Sequence, residues 1–173
     1  EIDSHVTEVQ LKRKSDSPLA ETIVQYADKN YKGKTVNSIS IAAGKVSFSV
    51  VDDRGNRIPM YRVGQSYYLS GREGQSYQLQ YENNTAKTFE VVASVDGVDV
   101  IDGSEASRSN SGYVLHAHDS LKIEGFRKSE SAVASFTFSK PKDAYAANSE
   151  NGSIQNAGVI GTVLYELEAP EDE

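Results

Sequence analysis

The fold prediction rests on the stretch FEVVASVDGVDVIDG, residues 89–103. Two runs rich in valine flank the pair Asp96-Gly97, and a second such pair follows at Asp102-Gly103. An Asp-Gly pair between two such runs predicts a hairpin with a type I′ turn, because that turn needs positive φ at both central positions and these residues tolerate it. The stretch therefore predicts two antiparallel strands with Asp96 in the turn.

The next three apolar segments extend this pattern. Residues 112–115 form a short apolar run, and apolar and charged residues alternate in residues 120–126, which is typical of a strand with one solvated face. In residues 132–138, Phe136 and Phe138 share one face with two alanines. We expect three or four sequential antiparallel strands from this part of the chain.

A second hairpin is predicted around GREG, residues 71–74. The flanking segments 67–69 and 77–81 are rich in tyrosine and leucine. Alternation in the second segment predicts three inward side chains, those of Tyr77, Leu79 and Tyr81.

One helix is predicted near the N-terminus. Ser17 suits the N-cap and Pro18 the first helical position, and the charge of Glu21 meets the helix dipole favourably. Gly33 can end the element. Four apolar residues fall at helical spacing, namely Leu19, Ile23, Val24 and Ala27.

About ten short strands and one helix predict an all-β protein, an antiparallel β-sandwich of jelly-roll or Ig-like topology with one short N-terminal helix. Further strands are expected at residues 39–41, 46–51 and 158–165, and a long loop at residues 144–156. We expect residues 1–60 to be an N-terminal extension, with the helix and two strands, that packs on a sandwich domain of residues 61–173 to form one structural unit.

Composition excludes several classes of protein. With 173 residues, 25% charged and 38% hydrophobic, the chain suits a soluble globular domain, and no run is long enough to predict a transmembrane segment. A net charge of −7 argues against nucleic acid as a partner. The absence of cysteine excludes disulfides and thiolate sites. Because the chain begins at Glu1 and not at methionine, we expect that a leader or other preceding residues have been removed.

The segment His116-Ala117-His118-Asp119 is the predicted metal site. In an extended backbone His116 and His118 lie on one side, and two imidazoles with the carboxylate of Asp119 suit a divalent transition metal. The alternative is a polar loop between two strands.

A calcium site is a second possibility, because Asp96, Asp99 and Asp102 form a series of oxygen ligands in a segment punctuated by glycine. Their spacing is not that of an EF-hand loop. Turn chemistry at the Asp-Gly pairs is the alternative explanation.

Three residues are candidates for ligand binding. Arg127 could hold a carboxylate of a ligand, or it could fix a loop by bonding backbone carbonyls. Tyr145 could line a ligand groove, or its ring could plug one end of the sandwich. Tyr113, in the same group of predicted strands, is the third. The ten tyrosines also allow a surface that stacks on sugars.

No catalytic residue and no cofactor are predicted. The sequence has no nucleophile elbow, no phosphate-binding loop and no dinucleotide fingerprint. Many carboxylates could serve a glycosidase, but none is distinguished from the others. We therefore expect a protein that is not an enzyme, with a metal-dependent or glycan-acting hydrolase as a minor alternative.

Eight short motifs and Tyr77 carry a resemblance. They are GREG, NNT, VDGVDV, GYVL, IEGFR, FTF, YAA and GVIG, at residues 71–74, 83–85, 95–100, 112–115, 123–127, 136–138, 145–147 and 158–161. This combination, which covers residues 61–166, resembles an uncharacterised family of bacterial proteins, often with export signals. The resemblance implies a periplasmic, secreted or cell-surface setting, and it implies no activity, substrate or catalytic residue.

Two functions are expected above others. The first is an exported binding or adhesion domain that engages a glycan, a peptide or a protein on a sheet face or on loops. The second is a structural subunit of a bacterial envelope or surface assembly, a possible homo-oligomer, in which edge strands or residues 1–13 pair with a neighbour.

Overall fold

A computed structural model describes residues 2–3, 11–138 and 158–168. These residues form fifteen strands and no helix. The strands are β1 (Ile2–Asp3), β2 (Ala20–Ala27), β3 (Lys34–Val36), β4 (Ile39–Ile41), β5 (Val46–Val51), β6 (Met60–Val63), β7 (Ser66–Ser70), β8 (Ser76–Asn83), β9 (Phe89–Val95), β10 (Val98–Asp99), β11 (Tyr113–Leu115), β12 (Ser120–Ile123), β13 (Gly125–Arg127), β14 (Ala132–Thr137) and β15 (Val159–Glu166).

The first sheet has seven strands. Its order is β1-β14-β8-β5-β4, with β12 also paired to β8 and β13 also paired to β14. All of these pairs are antiparallel. The centre of the sheet is β8, and β4 lies at one edge.

The second sheet has eight strands in the order β10-β9-β15-β2-β7-β6-β3, with β11 also paired to β9. Strand β2 lies near the centre, antiparallel to β15 on one side and parallel to β7 on the other. The two sheets enclose one apolar core and form no closed barrel, so the predicted β-sandwich is confirmed.

The predicted hairpin at residues 89–103 is also confirmed. Asp96 and Gly97 have φ angles of 55° and 83°, and Val98 pairs with Val95 across the turn. Positive φ at both central positions is what a type I′ turn requires.

The core contains large side chains from both sheets. Tyr77, Leu79 and Tyr81 are at most 1% exposed, which confirms the inward face predicted for β8. The rings of Tyr77 and Phe138 stack with centroids 4.1 Å apart. The hydroxyls of Tyr81 and Thr162 are 2.6 Å apart and connect β8 to β15 across the core. A leucine or phenylalanine side chain of this core contributes about 1.5–3 kcal/mol when it is fully buried.

The predicted N-terminal helix is wrong, because the segment forms β2. Its burial follows a period of two: Val24 and Tyr26 are buried, whereas Ile23 is 57% exposed. At residues 24–25, β2 has a paired strand on each side, β15 on one and β7 on the other. These two neighbours satisfy the backbone hydrogen-bonding groups of β2 at these residues. Burial of alternate side chains between these neighbours outweighs the local capping signals.

The predicted hairpin around residues 71–74 is wrong too. Strand β7 belongs to the second sheet and β8 to the first, so this segment crosses between the two sheets. A side chain at Gly71 would place its Cβ 2.5 Å from Phe138 Cδ1, so the crossing needs glycine for close packing. The sequential antiparallel strands predicted for residues 112–138 are also divided between the two sheets. Strand β11 pairs with β9 of the second sheet, whereas β12 pairs with β8 of the first.

Residues before position 60 contribute to both sheets. Strand β2 lies between β15 and β7, and β5 pairs with β8 along residues 78–83. The side chains of Val24 and Val50 therefore belong to the same core as those of the later strands. The loop predicted at residues 144–156 lies outside the described residues.

Candidate functional site

The predicted metal ligands His116, His118 and Asp119 lie in the exposed turn between β11 and β12. His118 has a φ of 56°, and its backbone N–H donates to the carbonyl of Thr85 at 2.9 Å. The Asp119 N–H donates to the carbonyl of His116 at 3.2 Å. Within residues 11–138 and 158–168, no three histidine or acidic side chains are grouped in a way that could hold a metal ion. The backbone bonds account for the conformation of the turn.

Asp96 is buried and bonds to two other strands. Its Oδ1 accepts from Tyr26 Oη at 2.7 Å and from the N–H of Gly158 at 2.6 Å. Burial raises the pKa of the Asp96 carboxyl, and these two hydrogen bonds act in the opposite direction. The residue therefore joins the β9–β10 turn to β2 and to the beginning of β15.

Asp99 and Asp102 hold the loop after β10. Asp99 Oδ2 accepts from the backbone N–H groups of Ile101 and Asp102 at 3.0 and 3.2 Å, and burial raises the pKa of Asp99 to about 6. Asp102 Oδ1 accepts from the N–H and Oγ of Ser104, and these bonds lower the pKa of Asp102. Each of the three aspartates in the predicted calcium series thus has a role in a turn or loop.

The structure brings two predicted ligand-binding residues together. Arg127 Nε donates to Tyr113 Oη at 3.1 Å, and Arg127 Nη1 donates to the carbonyl of Ser129 at 3.4 Å. Tyr113 is only 6% exposed. These contacts favour the alternative in which Arg127 fixes a loop. Tyr145 lies outside the described residues.

A different surface carries more of the features of a binding site. Cross-strand register places Tyr61, Tyr68, Gln25 and Val159 in one row on the second sheet. Paired residues in a sheet share a face, and this row alternates with the buried residues of the same strands. The row therefore crosses the outer face of the second sheet, over β6, β7, β2 and β15.

At one end of this row lies a tyrosine cluster, formed by Tyr31, Tyr61 and Tyr68. The Tyr31 ring stacks on that of Tyr68 with centroids 5.0 Å apart and lies 6.2 Å from that of Tyr61. The Lys29 ammonium lies 4.9 Å from the centroid of the Tyr31 ring. Burial, with Tyr68 as a neighbour, raises the pKa of Tyr31. All three rings are half-buried, so they are held in place while part of each remains accessible.

Beside the cluster a cavity of about 770 Å³ follows β2. Its part on the outer face, which we call the outer-face groove, is lined by Ile23, Gln25, Ser94, Val159 and Gly161. Register aligns Ile23, Gly161 and Ser94 in a second row. A Cβ on Gly161 would lie 2.9 Å from Ser94 Oγ, so glycine keeps this part of the groove open.

The groove has a charged rim. Arg108 Nε and Nη2 donate to the two carboxylate oxygens of Glu21 at 2.5 and 2.9 Å. This bidentate pair joins the loop before β11 to the start of β2. The polar side chains of the groove itself are those of the exposed Gln25 and the half-buried Ser94. Neither side chain forms a hydrogen bond to another described residue.

The sequence pattern does not predict this surface, because Ser17 and Pro18 are helix-start signals for the segment that forms β2. A helix would have put Ile23 and Gln25 on different faces and would have removed both from the neighbourhood of Tyr68. A partial signal for the strand is the β-branched run Thr22-Ile23-Val24, followed by the alternation of Val24 and Tyr26 with Gln25. The apolar but exposed Ile23 interrupts that alternation.

Comparisons with known proteins give no relative. No protein-family model, no curated protein and no solved structure matches the chain. The family resemblance stays a prediction. Within the described residues, the structure has no helix of the length and apolar character needed to cross a membrane.

Proposed function

We propose that this protein is a non-enzymatic binding domain that holds a glycan on the outer face of its second sheet. The observation that supports the proposal is the tyrosine cluster beside the outer-face groove. A glycan needs apolar ring surface for its C–H faces and hydrogen-bonding groups for its hydroxyls, and here both lie on one surface.

The cluster supplies the apolar part. Tyr68 and Tyr61 come from adjacent strands, and the ring of Tyr31 packs on them. Tyrosine presents a large apolar surface with a polar tip and has few torsions to immobilise on binding. The Lys29 ammonium must leave the Tyr31 ring if a sugar is to stack there, and an exposed cation–π contact of this kind contributes only about 0.5–1 kcal/mol.

The groove supplies the polar part. Gln25 adjoins Tyr68 in the register, and its amide offers both donors and an acceptor. The Ser94 hydroxyl, on β9, is the second such group. Gln25, Tyr61, Tyr68 and Ser94 stand on paired strands, whereas Tyr31 lies outside the strands and is held by its ring contacts with the other two tyrosines. Most of the surface is therefore preorganised, which lowers the entropy cost of binding.

A glycan array with the purified chain tests the proposal. We expect binding that Tyr68→Ala and Gln25→Ala each weaken at least tenfold, whereas Tyr68→Phe, which keeps the ring, retains most of it. Gln78→Ala is the matched control, since Gln78 is a half-buried glutamine on β8 of the first sheet. No bound glycan, or equal binding by Tyr68→Ala and the unchanged protein, would contradict the proposal.

An exported bacterial setting is part of the proposal, supported by the family resemblance, and fractionation of source cells tests it.

The second candidate function is that of a structural subunit of an envelope assembly. In the described residues Ile2–Asp3 pairs with β14 of its own chain, in the register Ile2 to Val133. Light scattering across concentration separates the two functions, because the binding domain is expected to remain a monomer.

A further inference from the structure

Tyrosine is the main side chain that this protein exposes to one-electron oxidation. The chain has no cysteine and no tryptophan, and its single methionine, Met60, is fully buried. Thiol and thioether groups, which are the usual targets of oxidation, are therefore absent or inaccessible. Among the described residues, the tyrosines whose rings are only half-buried are Tyr31, Tyr61, Tyr67 and Tyr68.

Two of these accessible rings already lie against each other. The rings of Tyr31 and Tyr68 stack with centroids 5.0 Å apart and an interplanar angle of 23°. The ring of Tyr61 lies further away, 6.2 Å from that of Tyr31. The rings of Tyr26 and Tyr77 are 6.1 Å apart, but both residues are buried in the core, away from a dissolved oxidant. The pair Tyr31 and Tyr68 thus combines ring contact with access.

The two members of this pair differ in how firmly the backbone holds them. Tyr68 stands on β7, which is paired with β6 on one side and with β2 on the other. Tyr31 lies in the connection between β2 and β3. Coupling of two tyrosines joins ring carbons next to the hydroxyl-bearing carbons, so stacked rings must turn edge to edge. A side chain outside the paired strands can make this adjustment, and each ring meets the other at a high effective concentration.

We propose that Tyr31 and Tyr68 form a modification site, at which hydrogen peroxide and a haem peroxidase join the two rings as dityrosine. Each phenol gives up one electron and its hydroxyl proton, and the two phenoxyl radicals form one carbon–carbon bond beside their oxygens. The hydrogen at each newly bonded ring carbon then moves to the oxygen and restores the phenol. Hydrogen peroxide takes up the two electrons and the two protons and becomes two molecules of water.

The product is a covalent link in a chain that has no disulfide. It ties the connection between β2 and β3 to β7 and so closes the segment from Tyr31 to Tyr68 into a loop. A cross-link of this kind stabilises a fold mainly because it constrains the unfolded chain. We therefore expect the cross-linked protein to melt at a higher temperature than the untreated protein.

Treatment of the full chain with hydrogen peroxide and a haem peroxidase tests this proposal. We expect dityrosine fluorescence in the monomer fraction, a mass lower by two hydrogen atoms, and a proteolytic fragment that joins the peptides of Tyr31 and Tyr68. Tyr31→Phe and Tyr68→Phe should each abolish all three signals, because phenylalanine has no hydroxyl hydrogen to lose. Tyr67→Phe is the matched control and should keep them, since the half-buried Tyr67 adjoins Tyr68 but points to the opposite face of the sheet.

Three results would overturn the proposal. They are no dityrosine under conditions that couple N-acetyltyrosine, a cross-link found only between two copies of the chain, and a cross-link that persists in Tyr68→Phe. The same variant separates this proposal from glycan binding. Because Tyr68→Phe keeps the ring, it is expected to bind glycan while it forms no cross-link, so failure of either proposal leaves the other standing.

Discussion

Replacing Asp96 is predicted to destabilise the fold strongly, although the residue lies in a turn. The Oδ1 atom of Asp96 accepts from Tyr26 Oη at 2.7 Å and from the Gly158 N–H at 2.6 Å. Asp96 itself is only 3% exposed to solvent. Asp96→Ala removes the acceptor and leaves both donors unsatisfied in this buried place. Each buried donor left unsatisfied costs about 1–3 kcal/mol.

The positive φ of Asp96 adds to this cost. Alanine at a φ of 55° is less favourable than aspartate by an amount on the order of 1 kcal/mol. We therefore expect Asp96→Ala to lower the free energy of unfolding by about 3–7 kcal/mol. Asp96→Asn is the matched control, because asparagine tolerates the turn and keeps an acceptor at Oδ1.

Urea unfolding monitored by circular dichroism measures the effect, with the midpoint and the slope fitted separately. A double-mutant cycle with Tyr26→Phe then isolates the hydrogen bond, and we expect a coupling energy of at least about 1 kcal/mol between positions 26 and 96. A cost below about 1 kcal/mol for Asp96→Ala, or strict additivity in the cycle, would refute the reasoning.

Three further predictions concern the rest of the fold. Burial raises the pKa of Asp99 in the folded protein to about 6, so between pH 4 and 6 this carboxyl binds more protons in the folded than in the unfolded state. Its contribution to stability therefore falls by about 1–2 kcal/mol as pH rises from 4 to 6. Asp99→Asn should flatten this part of the plot of unfolding free energy against pH, and an unchanged slope would contradict the raised pKa of Asp99. Gly71→Ala should lower the melting temperature markedly, because the added Cβ would lie 2.5 Å from Phe138 Cδ1. Combining it with Phe138→Leu should recover part of the loss. Equal melting temperatures for Gly71→Ala and the unchanged protein would show that the segment between β7 and β8 tolerates a side chain at this position. Thr162→Val should cost about 1–2 kcal/mol because the buried Tyr81 hydroxyl loses its partner at 2.6 Å, and chemical denaturation that shows no loss would exclude this role for the bond.

Local chemistry explains which elements could be predicted from the sequence. The type I′ turn at Asp96-Gly97 depends on two adjacent residues, and the inward face of β8 depends on alternation within eight residues. Both are properties of a short segment. The strands at residues 39–41, 46–51 and 158–165 follow from the same kind of pattern and are present in the structure.

Contacts between distant segments explain the failures. Ser17, Pro18 and Glu21 are good helix-start signals, but the neighbours of β2 are β15 and β7, whose pairing with it no local pattern reveals. The tyrosine cluster and the groove depend on the same register, because it brings Tyr68 beside Gln25. The candidate site cannot be predicted without that register, whereas the predicted metal and ligand residues follow from local composition alone.

We propose that the protein binds its ligand on the outer face of the second sheet. Backbone amide NMR of the labelled chain, titrated with the strongest glycan from the array, tests it most directly. We predict that the largest shifts occur at Gln25, Tyr68 and Gly161, on three adjacent strands. Shifts confined to the turn at His116 and to Arg127, with none on β2, would contradict it.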